Sequence, residues 1–386
     1  MKKSKEIGQL YSNLLPDACF AGLEDIAEKV LDNKRLNSDD GYRLFESGNL
    51  PVAGFLANFR REHVSGRKAY YIRNQVINYT NICINRCAFC AFHRKKGDRE
   101  SYTLSLQDIR TKIEDHLNEP ISEIHVVGGL HPDLPFSYYI DMVHMMKELR
   151  PGTVLKMFDV VEIEYFSRIS GLSVEHVISQ LKEAGIRALP GGGAELFAPR
   201  VRKILCPEKI PAEKWLAVTK TAHKMGLKTN ATMLYGHVET FRERVDHMAA
   251  IRDLQDETQG FINFIPLPYQ PRHNRLKGIR TDANDDLMVQ AVSRLMLDNI
   301  AHIKAFWIYL TPPVAQVALN YGSDDIDGTV IEEHVAHEAG AETKSAMTVS
   351  ELESLITQAG YEPVERDTFF NEIRVTENEN SAIRRN

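Results

Sequence analysis

The stretch NYTNICINRCAFCAFHRKKG, residues 78–97, places three cysteines within eight positions, at Cys83, Cys87 and Cys90. Their spacing is C-x3-C-x2-C, and no fourth cysteine follows nearby in the chain. Closed zinc and iron–sulfur sites normally take four protein ligands. Three thiolates on one short loop therefore predict a [4Fe–4S] cluster whose fourth iron is open to a ligand that is not protein. An open metal position is a reactive position.

The same loop has two other interpretations. His93 lies three residues after Cys90, so a C-x3-C-x2-C-x2-H zinc site is one alternative, and a chance cluster of cysteines is the other. The remaining cysteines, Cys19 and Cys206, are remote from the loop and from each other. They indicate buried apolar side chains in a reducing compartment, because they form no even disulfide framework.

Composition limits the classes of protein that the chain can belong to. Its 386 residues are 43% hydrophobic and 26% charged, and the net charge of −6 gives no general electrostatic footprint for nucleic acid. No apolar run reaches the roughly 18 residues that a membrane-spanning helix needs, and the first residues lack an apolar signal-peptide core. We therefore expect a cytoplasmic protein with no nucleic-acid partner and no membrane partner.

The chain around the cysteine loop alternates short apolar runs with amphipathic segments. Residues 1–65 predict a helical extension, with a helix N-cap in the cluster 37–40. From residue 70 onward the predicted strands are 70–79, 121–127, 153–158, 186–189, 228–234, 261–265, 304–310 and a short one near 326–330. The clearest helices between them are 174–184, 213–225, 241–258 and 285–299. This alternation predicts an α/β fold, a TIM-type (β/α) barrel over residues 66–372, followed by a polar tail over 373–386.

Polar residues and glycines are concentrated at the ends of the predicted strands. In barrels of this kind the catalytic residues lie at the C-terminal strand ends and in the loops that follow. The segments at those positions are 81–90, 128–133 (GGLHPD), 159–164, 191–195 (GGGAE), 235–239 (YGHVE) and 266–270. We therefore expect an active site that the fold assembles from separate segments.

Several of these segments resemble a known family. The cysteine spacing, with Phe89 just before the last cysteine, resembles the cluster loop of the radical S-adenosylmethionine (SAM) enzymes. The segments HVVGGLHPDLPFSYY (125–139), LPGGGAELF (189–197), TNATMLYGHVET (229–240) and DDIDGTVIEE (324–333) are similar to those of aminodeoxyfutalosine synthases. Dehypoxanthine futalosine cyclase and the tyrosine-using half of the F0 synthase share the cysteine loop and a GGGAE-like strand end. They stand as the alternatives, with a non-catalytic metal-binding or cluster-binding protein as a remote one.

The resemblance implies a [4Fe–4S] cluster, SAM as co-substrate, and a low-potential electron donor such as flavodoxin or ferredoxin. In that family one electron splits SAM into methionine and a 5′-deoxyadenosyl radical. The radical adds to the vinyl carbon of the small-molecule substrate 3-[(1-carboxyvinyl)oxy]benzoate, an enolpyruvyl benzoate. Rearrangement and loss of the carboxylate as CO2 or bicarbonate give 6-amino-6-deoxyfutalosine, an intermediate of menaquinone biosynthesis.

The resemblance and the strand-end positions together predict roles for individual residues. The predicted cluster ligands are Cys83, Cys87 and Cys90. Cofactor-binding roles are predicted for Phe89, Gly128, Gly129, Gly192, Gly193, Glu195 and Arg202, with Glu195 on the SAM ribose. Catalytic acid/base or carboxylate-handling roles are predicted for His131, His237 and Glu239. The cations available for the two substrate carboxylates are His131, Lys156, Arg200, Arg202 and His237.

Each of these residues also has a purely structural interpretation. The glycines could form tight turns, and Glu195 could be a carboxylate at a helix N-terminus. Arg200 and Arg202 could lie on a solvent-exposed face. Weaker candidates are Glu162 and, near the last predicted strand, Asp324, Asp325 and Thr329.

Overall fold

The structure, a computed structural model, describes residues 20–373. Its first elements are three helices, α1 (Glu24–Leu31), α2 (Ser38–Ser47) and α3 (Leu50–Ser65). Asn37 caps α2, because its side chain accepts from the backbone N–H of Asp40 while the Asp40 carboxylate accepts from the backbone N–H of Asn37. The predicted N-cap in the cluster 37–40 is therefore confirmed.

The remaining elements alternate strands and helices. In chain order they are β1 (Lys68–Ile72), β2 (Asn74–Ile77), α4 (Leu106–Glu114), β3 (Glu123–Val126), α5 (Phe136–Leu149), β4 (Val154–Met157), α6 (Val160–Ser170), α7 (Val174–Ala184), β5 (Ala188–Leu189), α8 (Pro199–Leu205), α9 (Ala212–Lys224), β6 (Lys228–Tyr235), α10 (Phe241–Thr258), β7 (Phe261–Pro268), α11 (Ala283–Met296), β8 (His302–Ile303), α12 (Trp307–Leu310), α13 (Pro312–Ala318), β9 (Asp325–Gly328), α14 (Val335–Glu338), α15 (Val349–Gln358) and β10 (Glu362–Glu365). Within residues 20–373, no helix combines the length and the apolar character that a bilayer crossing requires.

The central sheet confirms the predicted TIM-type barrel. Strands β2 to β8 are parallel and lie side by side in the order in which the chain visits them. Isolated bridges join Lys304 to Asp325 and Gln75 to Ile331, so the segment 325–331 links the two edges of this seven-stranded sheet. Sequential parallel strands joined by helices are the architecture of the (β/α) barrel.

The segment predicted as one strand, 70–79, forms two strands that belong to different sheets, and the second sheet is small. It has three parallel strands in the order β10, β1, β9. Only Arg73 separates β1 from β2, and its carbonyl accepts from the backbone N–H groups of Ser122 and Glu123, at 2.9 and 3.3 Å. The prediction of a single strand over 70–79 is therefore wrong, because the chain passes from the small sheet into the barrel at this residue. The strand β10 was not predicted from the sequence.

The predicted strand over 304–310 is also wrong. The strand β8 ends at Ile303, and most of the predicted segment forms the short helix α12. A short apolar run does not distinguish a strand from a buried helix by its periodicity. Trp307 at the start of α12 is fully buried, and its Nε1–H donates to the carbonyl of Gly328 at 2.9 Å. This bond fixes the turn from the barrel into the helix.

The pleat of the strands creates the site. Alternate side chains of the barrel strands point into one central cavity, among them Val76, His125, Lys156, Asn230, Thr232, Ile265 and Leu267. The side chains between them, such as Ile124 and Leu155, are fully buried in the core outside the sheet. The predicted tail 373–386 lies outside the described residues except for its first position.

Candidate active site

The cysteine loop leaves the C-terminal end of β2 and is held by backbone hydrogen bonds at several points. The N–H of Cys83 donates to the carbonyl of Arg94 at 3.1 Å, and the N–H of Ala88 donates to Leu205 at 2.6 Å. The N–H of Leu130, just after β3, points to the Cys83 Sγ at 3.4 Å. These bonds fix the loop from outside, so the three thiols need no bonds to each other to keep their positions.

The three thiols fit the open cluster that their spacing predicts. All three line one cavity, and burial raises the pKa of each thiol. In the described part of the chain, no three His, Cys, Asp or Glu side chains are close enough to share a single metal ion. A [4Fe–4S] cluster puts one iron on each thiolate, so its ligands do not share an ion. Cys206 is buried and does not line the cavity.

The cavity has a volume of about 320 Å³ and extends from the cysteine loop into the barrel. It brings together nine of the predicted site residues: Cys83, Cys87, Cys90, Phe89, Gly128, Gly129, Gly192, Gly193 and Glu195. Most of its exposed lining is apolar, while polar side chains from separate strands enter it. Concave, mainly apolar cavities with a few convergent polar groups are typical of small-molecule sites.

The packing of the protein itself requires glycine at several strand ends, whether or not a ligand is bound there. A Cβ on Gly129 would lie 2.3 Å from the carbonyl oxygen of Ile82, and one on Gly191 would lie 1.9 Å from that of Asn230. A Cβ on Gly193 would meet the side chain of Val161 at 2.3 Å. These glycines therefore let the strand ends approach each other closely. Contact between SAM and Gly128, Gly129, Gly192 or Gly193 stays a prediction.

Glu195 is paired with a lysine that the sequence analysis did not single out. The Lys209 ammonium forms an ion pair with the Glu195 carboxylate, and both residues line the cavity. The ammonium also lies 5.5 Å from the centre of the Phe89 ring. Burial opposes the charge on Lys209, but the neighbouring Cys87, Glu195 and other acidic groups outweigh it and raise the lysine pKa. Lys209 lies in a loop and belongs to no recognisable motif, so the sequence does not indicate that it reaches the cavity.

Backbone strain is concentrated on the cavity wall. Three residues that line it, Glu195, Asp327 and Val330, have φ angles of 48°, 72° and 49° although none is glycine. Such conformations cost of order 1–3 kcal/mol each and persist where the surrounding structure holds them. For the β-branched Val330 the left-handed region is a true outlier.

Four predicted site residues do not line the cavity. Arg202 is buried, and its guanidinium donates to the carbonyls of Ala194, at 2.7 Å, and Ile210. His131 is buried, and its Nδ1 accepts from the backbone N–H of Asp133 at 3.1 Å. Burial lowers the pKa of His131. His237 and Glu239 are the other two, and the direct roles predicted for all four stay predictions.

His237 and Glu239 form a buried network in the turn between β6 and α10. The Nδ1 of His237 lies 2.8 Å from Glu239 Oε2, and its Nε2 lies 2.9 Å from the carbonyl of Leu234. Glu239 also accepts from Arg244 Nε at 2.8 Å. Burial opposes the negative charge, but His237 and Arg244 outweigh it and hold the pKa of Glu239 far below its usual range. The arrangement fixes the turn that follows the cavity-lining residues of β6.

Arg200 and Asp324 also lie away from the cavity. Arg200 is exposed and paired with Glu243, at 2.6 Å. Asp324 is fully buried and is paired with Arg294, at 2.8 Å, and with His302, at 2.7 Å. Arg200 thus lies on the solvent-exposed face that was its alternative interpretation, whereas Asp324 belongs to a buried network of charges.

Glu162, a weaker candidate, does line the cavity. Its carboxylate accepts from the Tyr79 hydroxyl at 2.8 Å, and burial raises its pKa well above the usual range. A carboxyl group with a raised pKa beside a cavity can hold a proton at neutral pH.

Family models match two parts of the chain. The Radical SAM superfamily matches residues 77–251, and the CofH/MqnC C-terminal region matches residues 258–379. An aminodeoxyfutalosine synthase from Thermus thermophilus is 46% identical over 355 residues, which cover 91% of this chain and 95% of the relative. This chain belongs to the aminodeoxyfutalosine synthase family of radical SAM enzymes. The family implies a [4Fe–4S] cluster and SAM, and its members act on small molecules.

Other relatives define how far the similarity reaches. An aminodeoxyfutalosine synthase from Streptomyces coelicolor is 39% identical over 377 residues, or 94% of this chain and 97% of the relative. A 5-amino-6-(D-ribitylamino)uracil–L-tyrosine 4-hydroxyphenyl transferase from Methanopyrus kandleri is 35% identical over 326 residues, or 83% of this chain and 88% of the relative. Identity to the two synthases is thus higher than identity to this transferase.

Two solved structures share the fold. Methylornithine synthase superposes with a TM-score of 0.70 at 15% identity, covering 92% of this chain and 99% of that chain. The FeFe-hydrogenase maturase HydG from Carboxydothermus hydrogenoformans gives a TM-score of 0.71 at 14% identity, covering 96% and 84%. At these identities the likeness concerns the fold alone.

Proposed function

We propose that this chain is an aminodeoxyfutalosine synthase that joins the 5′-deoxyadenosyl group of SAM to 3-[(1-carboxyvinyl)oxy]benzoate. The observation that carries the proposal is the identity of 46% and 39% to two synthases over more than nine-tenths of the chain. A cavity that extends from the cysteine loop into the barrel supports it, because the reaction needs the substrate and SAM in one water-excluding space.

The proposed reaction balances without a net oxidant or reductant. The cluster, when bound, supplies one electron that breaks the C5′–S bond of SAM and releases methionine. A new carbon–carbon bond forms between C5′ and the vinyl CH2 of the substrate. In the rearrangement the aryl–oxygen bond breaks and the aryl group joins the carbon that carries the carboxylate. The carboxyl group then leaves as CO2, or with water as bicarbonate, and the electron is released with it. The adenosyl group therefore ends in the product, 6-amino-6-deoxyfutalosine.

The residues of the cavity have proposed roles in holding the reactants. Cys83, Cys87 and Cys90 would bind three irons of the cluster and leave the fourth for SAM. Glu195, positioned by Lys209, would accept hydrogen bonds from the ribose hydroxyls, and Phe89 would pack beside the adenine. We propose that His237 and Glu239 also position the end of β6.

The cluster requires an external electron, and we propose a flavodoxin or ferredoxin as its donor. Exposed basic residues lie in the cysteine loop and just after it, among them Arg86, Lys95 and Arg99, with the exposed acidic Asp98 and Glu100 beside the last of these. A patch of this sign favours association with an acidic redox protein.

The second candidate function is a transfer that uses tyrosine. It is favoured by the 33% to 37% identity to the archaeal 4-hydroxyphenyl transferases. The test uses anaerobically reconstituted enzyme with SAM and dithionite, and offers it either the enolpyruvyl benzoate or L-tyrosine with 5-amino-6-(D-ribitylamino)uracil. Turnover of the enolpyruvyl benzoate alone supports the synthase, and turnover of the tyrosine mixture alone would overturn it in favour of the transferase.

A further inference from the structure

The floor of the cavity contains three basic groups, of which only Lys156 was among the cations predicted for the substrate carboxylates. His125 on β3 and Lys156 on β4 stand opposite each other in the register of the two strands. Lys304, directly after β8, reaches the same cavity from the other side of the barrel. His125 lies within β3, and Gly129 lies three residues beyond the end of that strand. The floor therefore lies deeper in the barrel than the strand-end glycines.

Each lysine of the floor is paired with one carboxylate. Lys156 Nζ lies 2.5 Å from Glu123 Oε1, and Lys304 Nζ lies 3.1 Å from Asp327 Oδ1. Burial opposes the ionisation of Glu123, but the attraction of Lys156 and its neighbours outweighs it and holds the Glu123 pKa at about 2. The floor thus keeps two ammonium groups and two carboxylates in a space almost closed to solvent.

Some hydrogen-bond donors that face the cavity lack a full set of acceptors. An ammonium has three N–H donors, and within residues 20–373 each of these two ammonium groups has one carboxylate within 4.0 Å. The Nδ2 of Asn230, buried in the cavity wall, has no hydrogen-bond partner in the described part of the chain. Buried donors without partners are rare in folded proteins, because each costs the free energy of its lost hydration.

The charged groups also act on one another. Lys156 and Lys304 repel each other, and burial together with Lys156 lowers the pKa of His125 to about 3. Glu123 and Asp327 act in the opposite direction on the same imidazole. An anion placed among the three basic groups would accept from both ammonium groups and relieve their repulsion.

We propose that His125, Lys156 and Lys304 form the binding site for the benzoate carboxylate of the substrate. This inference rests on the proposed function and names the part of the cavity that recognises the substrate. The vinyl carbon must lie next to C5′ of SAM, and SAM must lie next to the cysteine loop. The carboxylate across the aromatic ring from the vinyl group then extends toward the floor.

The experiment compares the substrate with 3-[(1-carboxyvinyl)oxy]benzamide, in which an amide replaces the benzoate carboxylate. Both are titrated calorimetrically into reconstituted enzyme with SAM and without reductant, so that binding is measured and no turnover occurs. We expect the wild-type enzyme to bind the benzoate about 10- to 100-fold more tightly than the benzamide, as a charge-assisted hydrogen bond predicts. The double variant Lys304→Met/Asp327→Asn removes one of the two ion pairs without leaving a buried charge, and should lower the preference for the benzoate about tenfold.

A control is the double variant Arg294→Met/Asp324→Asn, which removes an equally buried ion pair away from the cavity together with the pairing of Asp324 with His302. It should keep the wild-type preference for the benzoate. Should the Lys304→Met/Asp327→Asn protein not fold, His125→Asn gives the same comparison without a change of charge and should reduce the preference about 3- to 10-fold.

The outcomes separate the inference from the proposed function. If the wild-type enzyme shows no preference, or the floor variants keep it, the carboxylate site is overturned while turnover of the enolpyruvyl benzoate leaves the proposed function standing. If the wild-type enzyme binds neither compound and turns over neither, both the proposed function and the carboxylate site are overturned.

Discussion

The surroundings of Cys83, Cys87 and Cys90 fix the position of the loop, but they disfavour the negative charge that each thiol needs to bind a metal. Two backbone hydrogen bonds set the position of the loop without using the sulfur atoms: the N–H of Cys83 donates to the carbonyl of Arg94, and the N–H of Ile84 donates to the carbonyl of Leu130. Burial disfavours the thiolate form of all three, so a metal must supply the charge that stabilises it.

We expect Cys83→Ala, Cys87→Ala and Cys90→Ala to lose the cluster, because each thiolate would bind a separate iron. Iron content and visible absorption after anaerobic reconstitution measure the loss. Cys206→Ala is the matched control, since Cys206 is a buried free cysteine that does not line the cavity. A cysteine-loop variant that keeps wild-type iron and absorption would contradict the assignment.

Lys209→Met should weaken SAM binding about tenfold, because the unpaired Glu195 carboxylate would no longer be held toward the ribose. Equilibrium binding of SAM to the reconstituted protein measures the effect, with the cluster absorption unchanged. Lys220→Met, which removes an exposed ion pair with Glu257, should leave the affinity as it was. Equal affinities of the two variants would refute the positioning role of Lys209.

Single site residues could be predicted from the sequence where the residue type and its spacing have few other uses. Three cysteines in a short loop predict a cluster because few other uses need that spacing. Lys209 and the floor lysine Lys304 gave no such signal, because lysine is common in loops and only the fold brings these two into the cavity.

Strand ends and turns of the barrel depend on close backbone contacts. Gly191→Ala should destabilise the protein by about 3 kcal/mol or more, because φ is +79° and the added Cβ would meet the carbonyl oxygen of Asn230. Gly171→Ala has a similar φ of +71° and nothing within 4 Å, so it should cost only about 1 kcal/mol. Urea unfolding of both proteins measures the difference, and equal losses would show that the contact with Asn230 does not matter.

The segment around α14 should lose local stability as the pH rises. The hydrogen bond to Glu333, which lines the cavity, raises the pKa of His337 to about 9 from an ordinary value near 6.5. Protonation of His337 therefore stabilises the folded segment fully below about pH 6.5, and this contribution is lost as the pH rises through 9. Its upper limit is about 3 kcal/mol, which solvent screening of the partly exposed pair reduces.

Hydrogen exchange of residues 333–347, corrected for the intrinsic effect of pH, measures this loss. Wild-type exchange should accelerate between pH 6.5 and 9.5, while His337→Gln should show no such change. Acceleration of equal size in both proteins would assign the effect to another group.

Helices and strands could be predicted where the pattern of apolar residues is compatible with only one kind of secondary structure. The alternation of apolar runs and amphipathic helices predicts the barrel, and the structure contains it. The secondary structure of the runs 70–79 and 304–310 could not be predicted from the sequence. In the first run the chain passes from one sheet to another at Arg73, and in the second a buried helix begins at Trp307. Both outcomes depend on tertiary contacts.

In the whole molecule one cavity contains both the cysteine loop and the buried charged groups of the floor. The cysteine loop lies at the C-terminal ends of the strands, and the charged floor lies within them. The general position of the site could therefore be predicted from the strand ends. The sequence could not show that His131 and His237 do not line the cavity, because the direction of a side chain in a loop follows no period.

The measurement that tests the central claim is the fate of the adenosyl group. The reconstituted enzyme is given SAM labelled with 13C in the ribose, dithionite and the enolpyruvyl benzoate, and the products are separated by mass. We predict one labelled, decarboxylated benzoate adduct for each methionine released, with little free 5′-deoxyadenosine. One free labelled 5′-deoxyadenosine for each methionine, with no labelled adduct, would contradict the account.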